Sequence, residues 1–275
     1  MAGPVEITSM ALFCDFENIA LGVRDAKYAH FDIRRVLERL LLKGSIVVKK
    51  AYCDWDRYKD FKAQMHEASF ELIEIPHVRQ SGKNSADIRM VVDALDLCYT
   101  KAHVDAFVII SGDSDFSPLV SKLRENNKYV IGIGVKDSTS DLLAANCDEF
   151  IFYDDLVREQ KPKRKVAEKK PAAKKTGNGA AKAQAPKSED DRRQEVLDFA
   201  VETVEALVAE RGDDKIWGSM VKQTMKRRRP GFNESSYGYR SFRELIEDAQ
   251  QRNMLTIARD DKTGQYAVRL ASAED

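Results

Sequence analysis

The sequence predicts an α/β fold over residues 10–154, a parallel-sheet sandwich, followed after a linker by a smaller winged-helix domain. Three observations carry this reading. From Met10 to Asp154, short apolar runs alternate with helix-periodic segments, the pattern of a parallel sheet covered by helices on both faces. Residues 158–188 then turn to Lys, Ala and Pro with no aromatic side chain. From Glu189 onward, three helical stripes precede two alternating strands, the outline of a winged helix-turn-helix.

In the first domain (1–157) the apolar runs place strands at 10–15, 46–52, 70–75, 105–111, 129–135 and 149–153. Helices are predicted near 32–43, 56–68, 85–100, 116–126 and 138–146, the second with weaker periodicity. The first of these starts at Asp32 as N-cap, carries Ile33, Val36, Leu37, Leu40 and Leu41 as one stripe, and stops at Gly44. In the helix at 85–100, Ile88, Val91, Val92 and Leu95 are read as the core face, with Asp93 and Asp96 in solvent.

The segment 158–188 holds almost no aliphatic residue larger than Ala, so it cannot offset the entropy of ordering and reads as a disordered basic linker. It also suits a cationic tether for nucleic-acid phosphate, and Lys161–Lys165 resembles a nuclear signal. In the last domain (189–275), Val196, Phe199, Ala200, Val204, Leu207 and Val208 form a helical stripe that ends before Gly212. A shorter helix at Ser219–Arg228 is stopped by Pro230-Gly231. A third is predicted from Ser235 to Arg252 with Phe242, Leu245, Ile246 and Ala249 inward, before a hairpin at 255–259 and 265–270.

The formal net charge is zero, but it hides a basic concentration between Arg158 and Lys187, so the balance does not argue against a polyanionic partner. Cys14, Cys53, Cys98 and Cys147 are far apart in apolar surroundings and read as reduced thiols rather than disulfides or zinc ligands. The scattered histidines add no metal spacing. With no bilayer-length apolar run and no signal peptide, a soluble, cytoplasmic protein without a membrane partner is expected. No Gly-rich phosphate loop, Ser/His/Asp set or Cys/His set is present. The Gly132-Ile133-Gly134 run lacks the third glycine of a dinucleotide fingerprint, and Asp15-Phe16-Glu17 lacks the Asp-x-Asp of aspartyl-phosphate enzymes.

Chemistry concentrates at strand ends. Met10–Cys14 runs into Asp15-Phe16-Glu17-Asn18, and Val108–Ile110 into Ser111-Gly112-Asp113-Ser114-Asp115. Ligands of open parallel sheets bind beyond the carboxyl ends of the strands, so both acidic ends converge on one region. Gathered carboxylates repel one another unless a cation lies among them, and oxygen-rich clusters suit Mg²⁺ or Mn²⁺. Asp15 and Asn18 are expected on the turn after the first strand, and Gly112 permits close backbone approach beside Asp113. The competing reading is capping: Ser114 or Asp115 can cap the helix that begins at Phe116. Asp87 opens the helix at 85–100, either as a third site acid or as a favourable first-turn charge. Arg79, Lys83 and Arg89 nearby are candidate contacts for a polyanion or plain surface charges.

Residues 10–154 resemble the NYN domain family, a branch of the PIN-like nucleases. The resemblance rests on Phe13-Cys14-Asp15-Phe16-Glu17-Asn18, Lys83-Asn84-Ser85-Ala86-Asp87 and Ser111-Gly112-Asp113-Ser114-Asp115-Phe116, in the family's order. It implies a PIN-like sandwich cleaving phosphodiesters, usually of RNA, with Mg²⁺ or Mn²⁺. By that resemblance Asp15, Asp87 and Asp113 take the metal and Asn18 and Asp115 support them; Asp137 and Asp141, without a motif of their own, are candidates for a fourth acid. Residues from about 190 to 271 resemble an OST-HTH, or LOTUS, domain through Met225-Lys226, Pro230–Glu234, Tyr237-Gly238-Tyr239 and Phe242 with Leu245-Ile246. Here Phe232, Tyr239 and Phe242 read as core, and Lys222, Lys226, Arg227, Arg228 and Arg229 as phosphate contacts. The combined expectation is a metal-dependent ribonuclease with a C-terminal RNA-binding module, acting on single-stranded or structured RNA. Its rival is a non-catalytic RNA-binding regulator or protein-docking adaptor, because LOTUS domains also bind proteins. A phosphatase on small esters leaves the second module unexplained.

Overall fold

The computed structural model describes residues 7–75, 85–158, 189–212, 215–259 and 265–271. The chain divides into two compact units, 1–161 and 162–275, and each is described by itself.

Six strands form the sheet of the first unit: β1 (Ser9–Asp15), β2 (Ser45–Cys53), β3 (Glu71–Glu74), β4 (Ala106–Ile110), β5 (Tyr129–Gly134) and β6 (Glu149–Phe152). Their order is β3-β2-β1-β4-β5-β6 and every pairing is parallel. Parallel strands need crossovers, supplied by α1 (Phe16–Asp25), α2 (Ile33–Lys43), α3 (Lys59–Glu67), α4 (Ser85–Thr100), α5 (Ser117–Glu125) and α6 (Asp141–Asn146); α7 (Tyr153–Arg158) follows β6. From β1 the chain winds outward through β2 to β3, then returns to β4 on the other side of β1. The order therefore reverses between β1 and β4, and such a switch point opens a crevice at the strands' carboxyl ends.

Successive residues on a strand point to opposite faces, so β1 and β4 feed two cores. Met10, Leu12, Cys14, Val108 and Ile110 pack with Phe16, Ile19, Ile33, Val36 and Leu40 on one face. Ala11, Phe13, Phe107 and Ile109 pack with Met90, Ala94, Leu119, Val120 and Leu123 on the other. Fully burying one such aliphatic side chain contributes about 1.5–3 kcal/mol, which is why these two-sided apolar strands take the centre. The cap expected at Asp32 is present, its carboxylate accepting from the Arg34 amide at 3.1 Å.

Three expectations are corrected here. Helices α1 and α7 were not expected. The residues after Asp15 form a helix instead of a turn, its Phe16, Ile19 and Val23 spaced along one buried face. In α4 Met90, Ala94 and Cys98 are buried; of the four residues expected to face the core, Val91 and Leu95 pack partly buried against it, while Ile88 and Val92 are exposed. Asp93 is not in solvent: it accepts from the Tyr52 hydroxyl at 2.9 Å and pairs with Lys50 at 3.3 Å and Arg89 at 3.1 Å.

The second unit holds α8 (Glu189–Arg211), α9 (Gly218–Arg228), α10 (Phe242–Gln251) and an antiparallel hairpin, β7 (Leu255–Arg259) with β8 (Tyr266–Leu270). Trp217 bridges to Ala267 beside the hairpin. Phe232, Tyr239 and Phe242 lie in the core with Phe199, Leu245 and Ile246, as expected. The helix expected from Ser235 to Arg252 is interrupted. Residues Glu234–Tyr237 form one 3₁₀ turn closed by Gly238 at φ +82°, a left-handed backbone that favours glycine. Ser241 then caps α10, its hydroxyl accepting from the Glu244 amide at 3.2 Å, a capping-box signal readable in Ser241-Phe242-Arg243-Glu244. Among the described residues no helix is long and apolar enough to cross a membrane.

Candidate functional site

The carboxyl ends of β1 and β4 lie side by side, with Cys14 opposite Ile110 in register. Asp15, the last residue of β1, is only 8% exposed. One of its oxygens accepts from the Ser111 hydroxyl at 3.0 Å, and the other from the Asn18 amide at 3.4 Å as the N-cap of α1. The Ser111 oxygen in turn accepts from the Asp113 amide at 3.2 Å. Asp113 caps a 3₁₀ turn at Ser114–Phe116, accepting from the Asp115 amide at 2.9 Å. Capping thus falls on Asp15 and Asp113, not on Ser114 or Asp115. A carboxylate has two oxygens, so capping and a charge at the strand end coexist in each.

Asn18 sits in the first turn of α1, and its side-chain oxygen accepts from the Gly112 amide at 2.9 Å. It therefore ties α1 to the end of β4. Gly112 also accepts from the Ser140 amide at 2.9 Å, and a Cβ at this position would lie 2.5 Å from the Ser138 carbonyl oxygen. The loop after β5 can approach only because the side chain is absent. Ser111, which the sequence reading did not single out, is the hinge of this network; its signal was a hydroxyl at the end of an otherwise apolar run.

Charge links the acids across elements. Burial, then the charges of Asp87 and Asp113, push the Asp15 carboxyl up to about 7 against the hydrogen bonds from Ser111 and Asn18. Burial, then Asp113, Asp115 and Glu17, push Asp87 up to about 6. Asp87, in the first turn of α4, thus shares one field with the ends of β1 and β4. The further acid felt here is Glu17, which pairs with Arg57 at 3.2 Å. Asp137 and Asp141 lie exposed after β5 and at the start of α6, and are not among the charges named on Asp15 or Asp87.

Among the described residues no three Asp, Glu, His or Cys side chains lie close enough together to hold one metal ion. The donor chemistry nonetheless fits a hard divalent cation: the groups are all carboxylates, and their mutual repulsion is what such a cation relieves. Coordination would require these side chains to draw together.

The basic candidates divide. Arg79 and Lys83 fall outside the described residues, and Arg89 is paired with Asp93. In the second unit Lys222 donates to Glu234 at 2.6 Å. Arg228 donates to Thr203 at 3.0 Å and pairs with Glu202. Arg229 lies 4.0 Å from the centre of the Phe199 ring and 3.7 Å from Glu195. Lys226 is exposed on α9, and Arg227 half-buried.

Sequence profiles match this chain to the NYN domain over residues 9–154 and to the OST-HTH/LOTUS domain over residues 195–266. A curated relative, meiosis regulator and mRNA stability factor 1 of Xenopus tropicalis, is 24% identical over 154 residues, covering 56% of this chain and 9% of that protein. An uncharacterized protein of Methanocaldococcus jannaschii is 27% identical over 142 residues, covering 50% of this chain and 56% of its own length. The chain thus spans less than two thirds of either relative. A crystal structure of a protein of unknown function from Vibrio parahaemolyticus is similar with a TM-score of 0.49 at 26% identity, covering 56% of this chain and 98% of that one.

Proposed function

Because the chain belongs to the NYN domain family, we propose that its first unit is a metal-dependent ribonuclease and its second an RNA-binding module. The observation that carries this is the shared field of Asp15, Asp87, Asp113 and Asp115 at the switch point of the sheet. The name of the Xenopus relative ties that protein to mRNA stability, which is consistent with RNA as the substrate.

Asp15, Asp87 and Asp113 are the residues that would hold Mg²⁺ or Mn²⁺, with Asn18 and Asp115 in support. Such an ion supplies Lewis acidity at the phosphate and a water of lowered pKa. The chain supplies position. Ser111 fixes one oxygen of Asp15 while accepting from the Asp113 amide, which ties the backbone that carries Asp113 to the end of β1. Asn18 holds the Gly112 backbone and adds no charge. When water attacks phosphorus and the 3′-oxygen leaves, the P–O3′ bond breaks to give a 5′-phosphate and a 3′-hydroxyl; no 2′-hydroxyl is needed, so DNA is not barred by mechanism. Since acids oppose a polyanion, the linker and the second unit supply most of the RNA affinity, with Lys226 the exposed cation on α9.

The test is cleavage of a labelled single-stranded RNA by the full chain with Mn²⁺, with a chelator and with Asp113→Asn. Loss in both controls supports the reading. The rival, a non-catalytic RNA-binding regulator, draws on the distance between the acids. Tight, chelator-insensitive RNA binding without any cleavage decides for it.

A further inference from the structure

We propose that the cleft beside the acids is a base-binding subsite, taking an unstacked base of single-stranded RNA next to the bond to be cut. This rests on the nuclease reading above. Helix α4 carries apolar residues on more than one side: Met90, Ala94 and Cys98 are buried, and Val91 and Leu95 are half-buried against the same core. On the other side Ile88 and Val92 are 63% and 56% exposed, and Leu142 of α6 is 59% exposed. With Pro118 these side chains wall a cleft of about 730 Å³. That volume falls in the range of small-ligand sites, which are mostly apolar with a few polar groups.

Two features point to a base. Asp87 and Asp115 also line the cleft, so it opens directly on the acids. Their charge disfavours phosphate inside it and leaves the neutral, flat part of a nucleotide as the portion that fits. Ser117, 7% exposed, lines the same cleft, and among the described residues its hydroxyl has no hydrogen-bond partner. A buried hydroxyl without a partner is costly until a ligand or water completes it, and a base edge carries both donors and acceptors. The aliphatic walls grip by shape, so every base has a face that suits them.

The test uses the full chain and the double variant Val92→Gln with Leu142→Gln, both positions being exposed enough to leave the fold intact. A single-stranded RNA with 2-aminopurine at successive positions is bound with Ca²⁺ replacing Mn²⁺. Wild type is expected to raise the fluorescence at one position, and the double variant to lose most of that rise. With Mn²⁺, the ratio of RNA cleavage to bis(p-nitrophenyl) phosphate hydrolysis should fall at least tenfold in the double variant. Removing the base at the responsive position should erase the difference between the two proteins. Equal fluorescence and equal ratios overturn the subsite while the nuclease reading stands. A fluorescence rise lost in the variant, with no hydrolysis of either substrate by wild type, overturns the nuclease reading and keeps the subsite. A wild-type dimer that the double variant converts to monomer assigns the face to a second copy of the chain, and the proposal falls.

Discussion

Replacing Asp15 by Asn should stabilise the metal-free protein at neutral pH, although Asp15 is proposed to be essential for activity. Its carboxyl is held at about 7 in the fold against an ordinary value of 3.8. A raised carboxyl binds its proton more tightly folded than unfolded, so stability is greatest at low pH and falls as the pH rises. The loss begins near 3.8 and is complete above about 7. At about 1.4 kcal/mol per pKa unit, the ionised form costs roughly 4 kcal/mol as an upper bound. An Asn side chain keeps one oxygen for the Asn18 amide, turns its NH2 group to the Ser111 hydroxyl oxygen in place of the second carboxylate oxygen, and escapes the repulsion of Asp87 and Asp113. Urea denaturation in a chelator, from pH 4 to 8.5, should show the variant's advantage growing through this window to about 2–4 kcal/mol. Saturating Mn²⁺ should then stabilise wild type more than the variant, because only a ligand of the folded state adds stability. A constant offset across the pH range, or no Mn²⁺ effect on wild type, would refute the reasoning.

Asp113→Asn should abolish Mn²⁺-dependent cleavage yet keep the fold within about 1 kcal/mol, since an amide oxygen can still cap the Asp115 amide; activity and melting together check it. Gly112→Ala should destabilise the first unit by about 2 kcal/mol or more, because the new Cβ meets a backbone oxygen at 2.5 Å that cannot rotate away; thermal melting measures it. Arg228→Ala should cost about 1–2 kcal/mol in the second unit by removing its bonds to Thr203 and Glu202 and its stacking over Phe199. Lys226→Ala should instead leave stability alone and lower the salt slope of RNA binding by about one. Deleting residues 158–275 should weaken RNA binding and flatten its salt dependence, while residues 1–157 still cleave at high RNA concentration in single-turnover assays; unchanged affinity and slope would favour protein docking by the second unit.

The strands and the longer helices were legible in the chain because burial on both sides leaves a local mark. Met10–Cys14 and Ala106–Ile110 are apolar at every position, and such runs suit only the centre of a covered sheet. The Asp32 cap and the Gly44 stop are equally local, resting on neighbours in sequence. The strand-end acids were legible as a motif for the same reason, and the NYN and LOTUS resemblances agree with the profile matches. Helix α4 shows where that reach ended. Its sequence offers two apolar faces, Ile88 with Val92 and Met90 with Ala94 and Cys98, and periodicity weighs them alike. Only packing against the sheet decides which is buried, and it covered Met90, Ala94 and Cys98 and left Ile88 and Val92 beside the acids. Asp93 went the same way: a carboxylate that looks solvated alone is held among Lys50, Tyr52 and Arg89 from two elements. The sequence by itself determined which residues carry charge and which strands they end. The tertiary structure decided that Asp15, Asp87 and Asp113 share one field, because electrostatic coupling depends on distance in space and burial, and neither is written between residues 15, 87 and 113 in the chain.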